Sequence, residues 1–235
     1  MFLIIYTTKR IMQSLLNIIH KENPYTNFNN SFYVKDDKIL EHVKKRTEEL
    51  EYVFSCICKF NTKRIFEVGS FLGASAIVMS EVCKKNFNIK PEIVCIDTWL
   101  GSIDHWFSDE YRNDLKIKNG YPNIFYQFLG NVLRFGHQDC IVPFPCTSLD
   151  AAKFFLKEKI TADIVYIDGA HDYDSVLRDC FFYYDVLNPG GVLFGDDFHI
   201  SNRDVMTAVQ DFVVTKKVKL LVSNAKWIVN KPITL

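Results

Sequence analysis

Five carboxylates of this chain stand where short apolar runs end: Glu67, Asp97, Asp168, and the adjacent pair Asp196 and Asp197. The stretch Asp163-Ile-Val-Tyr-Ile-Asp168-Gly-Ala-His171-Asp172-Tyr173 puts Asp168 at one tip, and Gly191–Gly195 delivers Asp196 and Asp197 to another. If the two runs are neighbouring strands, their tips lie about 5 Å apart. Three carboxylates so placed repel one another unless protonated or neutralised by a cation, and oxygen ligands at the mouth of a sheet suit Mg²⁺ or a similar hard divalent ion. Asp168, Asp196 and Asp197 are therefore the expected metal ligands. Such an ion would make the alkoxide of a bound hydroxyl accessible. His171, three residues beyond Asp168, titrates near neutrality when free and is the expected general base, with Asp168 beside it in the catalytic set. The plainer alternatives are a turn for Asp196-Asp197, a strand-end cap for Asp168 and a solvated loop side chain for His171. His105 and Trp106 are second-choice candidates.

The segment Arg64-Ile-Phe-Glu67-Val-Gly69-Ser70-Phe71-Leu-Gly73-Ala-Ser75 reads as a strand, a glycine turn and a helix start, the common arrangement of adenosine cofactor sites. A dinucleotide site wants G-x-G-x-x-G so that the backbone can close on the pyrophosphate. Phe71 stands at the middle position and disfavours NAD. S-adenosylmethionine (SAM) has no phosphate; it carries a sulfonium cation and an amino-acid end. It calls for an acid beside the turn and helix-terminal N–H groups, roles expected of Glu67, Ser70, Ser75 and the turn at Gly69 and Gly73. Asp97, thirty residues after Glu67, is expected to accept hydrogen bonds from both ribose hydroxyls. An ordinary strand-to-helix turn remains the alternative for the two glycines.

These groups need elements to hold them at one edge. From residue 64 onward, short apolar runs alternate with turn signals and helical stretches, the pattern of repeated βα units and a parallel sheet. Strands are expected at Arg64–Val68, Ile93–Asp97, Ile141–Phe144, Ile164–Ile167 and Gly191–Gly195. Helices are expected at Tyr173–Val186 and about Arg203–Thr215. Lys219–Ser223 and Trp227–Asn230, flanking an Asn-Ala-Lys turn, read as a closing antiparallel hairpin. The aromatic-rich stretch 101–137 is too long for a simple connection and is expected to hold a helix and a lid. Before residue 60, helical periodicity through Leu40, Val43, Leu50, Val53 and Phe54 marks a helical N-terminal cap (1–60) preceding the domain proper (61–235).

The 235 residues suffice for one domain with an appendage. Lys plus Arg (28) equals Asp plus Glu (28) with no basic stripe, which argues against a nucleic-acid partner. The seven cysteines lack CxxC or zinc spacing and are read as free thiols of a reducing compartment, the cytoplasm. The apolar start Met1–Tyr6 is cut short by Lys9 and Arg10, too early for a membrane span, and its charge order is the reverse of a secretory signal; an amphipathic helix packed on the domain is expected. Oligomeric state is left open, a homo-oligomer included.

Taken together, Glu67-Val-Gly69 to Gly73, Asp97-Thr98-Trp99-x-Gly101 and Asn188-Pro189-Gly190-Gly191 resemble class I SAM-dependent methyltransferases, in particular the macrocin O-methyltransferase and cephalosporin-hydroxylase-like group, over about residues 60–230. The resemblance implies a Rossmann-like, doubly wound α/β fold with seven strands in the order 3-2-1-4-5-7-6, the last antiparallel. It implies SAM contacts from Thr98 and Trp99 as well as Asp97, an adenine contact from Thr147 and Ser148, and metal ligation by Asp168, Asp196 and Asp197, with Asp168 also near the cofactor's amino group. The implied reaction is methyl transfer to a hydroxyl of a small polar molecule, such as a sugar or glycosylated metabolite. The rivals are a metal-independent methyltransferase, a SAM-binding partner without turnover, and an oxidoreductase.

Overall fold

A computed structural model of the protein describes residues 14–35 and 37–233. The expectation for the apolar start Met1–Tyr6 lies outside them. The first described helix, α1, is Leu15–Ile19, and α2 is Lys38–Ile57. The remaining elements alternate: β1 Arg64–Val68, α3 Ala74–Phe87, β2 Glu92–Asp97, α4 Ile103–Phe107, α5 Asp109–Arg112, α6 Ile124–Phe135, β3 Ile141–Pro145, α7 Ser148–Glu158, β4 Ala162–Ile167, α8 Tyr173–Asp185, β5 Leu187–Gly195, α9 Arg203–Lys216, β6 Leu220–Ser223 and β7 Lys226–Asn230.

The seven strands form one sheet in the order β3-β2-β1-β4-β5-β7-β6, with β7 antiparallel to both neighbours and the others parallel. This is the expected topology. Side chains alternate across the pleat. Ile65, Ile93, Cys95, Ile164, Tyr166, Val192 and Phe194 face a core shared with Leu50, Val53 and Phe54 of α2, Ile77 and Val82 of α3, and Phe128 of α6. Phe66, Val94, Ile96, Val165, Ile167 and Leu193 face the other core, with Phe155 of α7, Cys180 of α8 and Phe212 of α9.

That alternation decides where the rim acids sit. Asp168 extends the parity of Ile164 and Tyr166, and Asp196 that of Val192 and Phe194, so both carboxylates lie on the face that α2 covers.

Two differences from the sequence-based expectation bear on the site. The hairpin turn is Asn224-Ala225, both left-handed (φ 48° and 59°), as a two-residue type I′ turn requires. Lys226 is therefore not in the turn but is the first residue of β7, buried at 2% exposure. The stretch 101–137 is more helical than expected: α4, α5, a short 3₁₀ turn at Asn113–Leu115, and α6, closed by left-handed Gly136. All seven cysteines are free thiols. Among the described residues no helix is long and apolar enough to cross a membrane.

Candidate active site at the carboxyl edge of the sheet

The parallel strands β1, β2, β4 and β5 release their chains at one edge, and the five acids meet there. Gly69 adopts φ 86°, and a Cβ on it would stand 2.1 Å from the Asp168 carbonyl oxygen. Only glycine lets the ends of β1 and β4 approach this closely. Gly73, at φ 87°, caps α3 against the Phe128 ring.

Glu67 lies beneath the turn, fully buried, between Cys95 of β2 and Tyr166 of β4 in register. Ser75 Oγ donates to Glu67 Oε1 at 2.5 Å, and Cys95 Sγ to Oε2 at 3.3 Å. Burial pushes the Glu67 carboxyl up. Glu67 and Ser75, both expected at the cofactor, bond to each other and tie β1 to α3. Ser70 Oγ is buried at the turn without a hydrogen bond of ordinary geometry.

Asp97 accepts three backbone N–H groups: Ser70 N (3.1 Å) and Phe71 N (2.8 Å) on Oδ2, and Trp99 N (2.7 Å) on Oδ1. These bonds fix the carboxylate at the end of β2, where the ribose hydroxyls were expected to meet it. Trp99 does not line the edge. Its indole is buried, donates from Nε1 to Phe71 O (2.8 Å), and packs on Phe125 and Phe128. Thr98 is exposed beside it. Thr147, not Ser148, caps α7, and Ser148 Oγ donates to Asp179 Oδ1 (2.8 Å) on α8.

At the tips of β4 and β5 the acids acquire cations that sequence reasoning missed. Arg46, on α2, spreads its guanidinium over two carboxylates: Nη2 meets Asp168 Oδ2 at 2.8 Å and Nη1 meets Asp196 Oδ2 at 2.7 Å. Tyr166 OH hydrogen-bonds the same two oxygens, at 3.2 and 3.1 Å. Lys226 Nζ donates to Asp196 Oδ1 at 2.6 Å. Burial opposes ionisation of Asp196, but Lys226 and Arg46 override it and hold the carboxyl below its usual range. Asp168 has only its share of Arg46. Burial, together with Asp196, Asp197 and Glu67, raises its pKa to about 7.

Asp197 is left-handed (φ 62°), a conformation uncommon for a residue with a side chain, and its carboxylate turns away from Asp196 toward His171. His171 Nε2 stands 2.9 Å from Asp197 Oδ2, and Asn202 Nδ2 donates to Oδ1 at 3.0 Å. The hydrogen bond to Asp197 raises the His171 pKa, and Asp168 and Asp104 of α4 add to it. His171 is half exposed, on a loop anchored by Asp172, which caps α8 through Ser175 N. A shallow hollow opens here, lined by Asp168, His171, Asp197, Val205 and Trp227 among others.

Of the expected metal ligands, Asp196 is committed to partners within the chain. Both oxygens of Asp196 are engaged, Oδ1 by Lys226 and the Asp197 N–H and Oδ2 by Arg46, with the single Tyr166 proton shared between it and Asp168. Among the described residues, the group whose ligand atoms lie within 4.8 Å of one another is Asp168, His171 and Asp197, two of them already paired to each other. A cofactor with positive charge fits. Glu67 and Asp168 are buried acids whose carboxyls burial pushes up, Glu67 being met only by neutral hydrogen-bond donors.

This fold and edge define a doubly wound α/β protein whose ligand chemistry is concentrated beyond the carboxyl ends of the strands, as the topology favours. The chain matches the methyltransferase domain family over residues 66–198, more than half its length, and belongs to that family. Similar solved structures include an O-methyltransferase from Bacillus cereus in complex with S-adenosylhomocysteine (SAH) (13% identity, 92% of this chain and 100% of that one, TM-score 0.54). Others are the O-methyltransferase TomG from Streptomyces achromogenes in complex with SAM (12%, 94% and 100%, 0.55) and an O-methyltransferase family protein from Burkholderia thailandensis (10%, 92% and 64%, 0.57). No curated protein matches the chain significantly.

Proposed function

We propose that the chain transfers a methyl group from SAM to a hydroxyl oxygen of a small polar molecule, such as a sugar or glycosylated metabolite, with His171 as general base. The observation that carries this reading is the His171–Asp197 pair at the carboxyl edge, beside the glycine turn and within the matched residues 66–198.

SAM, when bound, supplies an electrophilic methyl on a sulfonium. The acids beneath the turn complement its charge, and Asp97, at the end of β2, is the acceptor for the ribose hydroxyls. The Asp197 carboxylate can only accept, so His171 carries its proton on Nε2 and leaves Nδ1 as the acceptor in the neutral ring. Nδ1 takes the proton of the attacking hydroxyl, and Asp197 stabilises the imidazolium that results, a division of labour that serves serine hydrolases as well. Asp104 acts on His171 through charge, which supports placing the acceptor between α4 and the β4–α8 loop. The divalent ion expected from the sequence is left out of this reading, because Lys226 and Arg46 already engage both Asp196 oxygens.

Calorimetry with SAM and SAH, followed by assay of SAH release against a panel of hydroxyl-bearing sugars, tests the proposal. Binding of both nucleosides and release with at least one acceptor is expected. Failure to bind SAM would overturn it.

A further inference from the structure

We propose that Arg46 and Lys226 occupy the role that a divalent cation would play at the acid edge, so that the site neither requires nor holds a metal ion. This deepens the reading of the same site as the methyl-transfer centre, but its binding arm stands whether or not that reading does.

The case rests on where the positive charge comes from. Three aspartates converge within one strand spacing, and the mutual repulsion of such acids is the argument for a metal. Here the chain supplies the compensation itself. Arg46 bridges Asp168 and Asp196 with one nitrogen on each, the fork geometry in which a guanidinium binds two acceptors at once. Lys226 is 2% exposed, and its ammonium is hydrogen-bonded to Asp196 Oδ1. An ion that recruited Asp196 would have to break this pair and leave a buried ammonium without its counter-charge, which is strongly unfavourable. An ion that recruited Asp168 through Oδ2 would have to expel the guanidinium, which is held on the other side by Asp196 and near Glu49. His171 and Asp197, the other two potential ligands, are bonded to each other. The arrangement also orients Asp168, whose Oδ2 is held by Arg46 and lies within hydrogen-bond distance of Tyr166 OH. Arg46 and Lys226 are thus positioning residues, acting through the carboxylates they hold.

The test is a titration of the full chain with Mn²⁺ followed by electron paramagnetic resonance, without SAM or acceptor. The wild type is expected to show no bound Mn²⁺ up to about 1 mM, the weak end of protein sites for hard divalent ions. The Arg46→Gln variant, which frees Asp168 Oδ2 and Asp196 Oδ2 while keeping a neutral donor, is expected to bind Mn²⁺ at least about tenfold more tightly than the wild type. A single wild-type site with micromolar affinity would overturn the proposal. So would equal affinity in wild type and Arg46→Gln. Should Arg46→Gln not fold, Arg46→Lys keeps the charge but loses the fork, and tighter binding than wild type is expected of it, with unchanged binding counting against the proposal. The activity arm is methyl transfer before and after EDTA. Unchanged turnover is expected, and loss restored by Mg²⁺ would refute the idea. A protein that binds neither SAM nor Mn²⁺ would sink the functional reading while leaving the metal-free edge standing.

Discussion

The two acidic regions at the carboxyl edge are neutralised in different ways. Glu67 and Asp97, at the ends of β1 and β2, are met by neutral donors close in sequence: the Ser75 hydroxyl, the Cys95 thiol and the N–H groups of Ser70, Phe71 and Trp99. Asp168, Asp196 and Asp197, at the ends of β4 and β5, are met mainly by groups that can carry positive charge: Arg46, Lys226 and His171. Neutral hydrogen bonds fix the shape of a loop at modest gain. Ion pairs in a partly buried setting also set protonation states, and they cost much more when one member is removed. The first region is built to hold a turn, the second to hold charge.

That contrast gives an ordered set of expected effects. His171→Ala should lower kcat by about 10²–10⁴ with little change in SAM affinity, the range for loss of a general base. A kcat within a factor of a few of wild type would place the base elsewhere. Lys226→Met leaves Asp196 buried with Arg46 as its remaining cation, and should destabilise the fold by about 3 kcal/mol in urea melts. Ser75→Ala removes one neutral donor from Glu67 and should cost less, about 1–2 kcal/mol by the same measurement. If Ser75→Ala proved the costlier of the two, the distinction between the regions would fail.

The smallest effect is a shift in pH. His171 is raised above 6.5 chiefly by its hydrogen bond to Asp197, so the acid limb of activity should lie above that value, since the base must be neutral to accept a proton. The charged ring is the form favoured by folding. Its stabilisation is complete below the unfolded value of 6.5 and is lost as pH rises through the folded pKa. Asp197→Asn should move both the NMR titration of His171 and the acid limb downward. An unmoved titration would show that Asp197 does not set the His171 charge.

Much of this was legible in the chain. The short apolar runs and their turn signals placed β1 to the residue and the remaining strands within a few, and the acids at their tips followed. Less legible was the direction in which each side chain turns. Trp99 and Ser148 lie in segments that resemble cofactor-binding ones, yet Trp99 packs beneath the turn on Phe125 and Phe128, and Ser148 bonds Asp179; both partners come from helices well separated in sequence. Lys226 was hidden by a one-residue difference in the hairpin, because taking it as part of the turn makes it look exposed. Arg46 had a signal that could have found it. The parity of Asp168 with Tyr166 and of Asp196 with Phe194 puts both acids on the face α2 covers, and a buried pair of acids there requires a cation from that helix.

The sequence by itself determined the alternating α/β order, the sheet that it implies and the set of acids at one edge, because strand period, glycine turns and helix starts are short-range properties of the chain. Only the tertiary structure decided what those acids face. Arg46 and Asp196 are 150 residues apart and meet at 2.7 Å because α2 packs across the sheet. Whether a buried carboxylate meets a guanidinium, an ammonium or a metal ion depends on contacts between distant segments, and no local pattern encodes them.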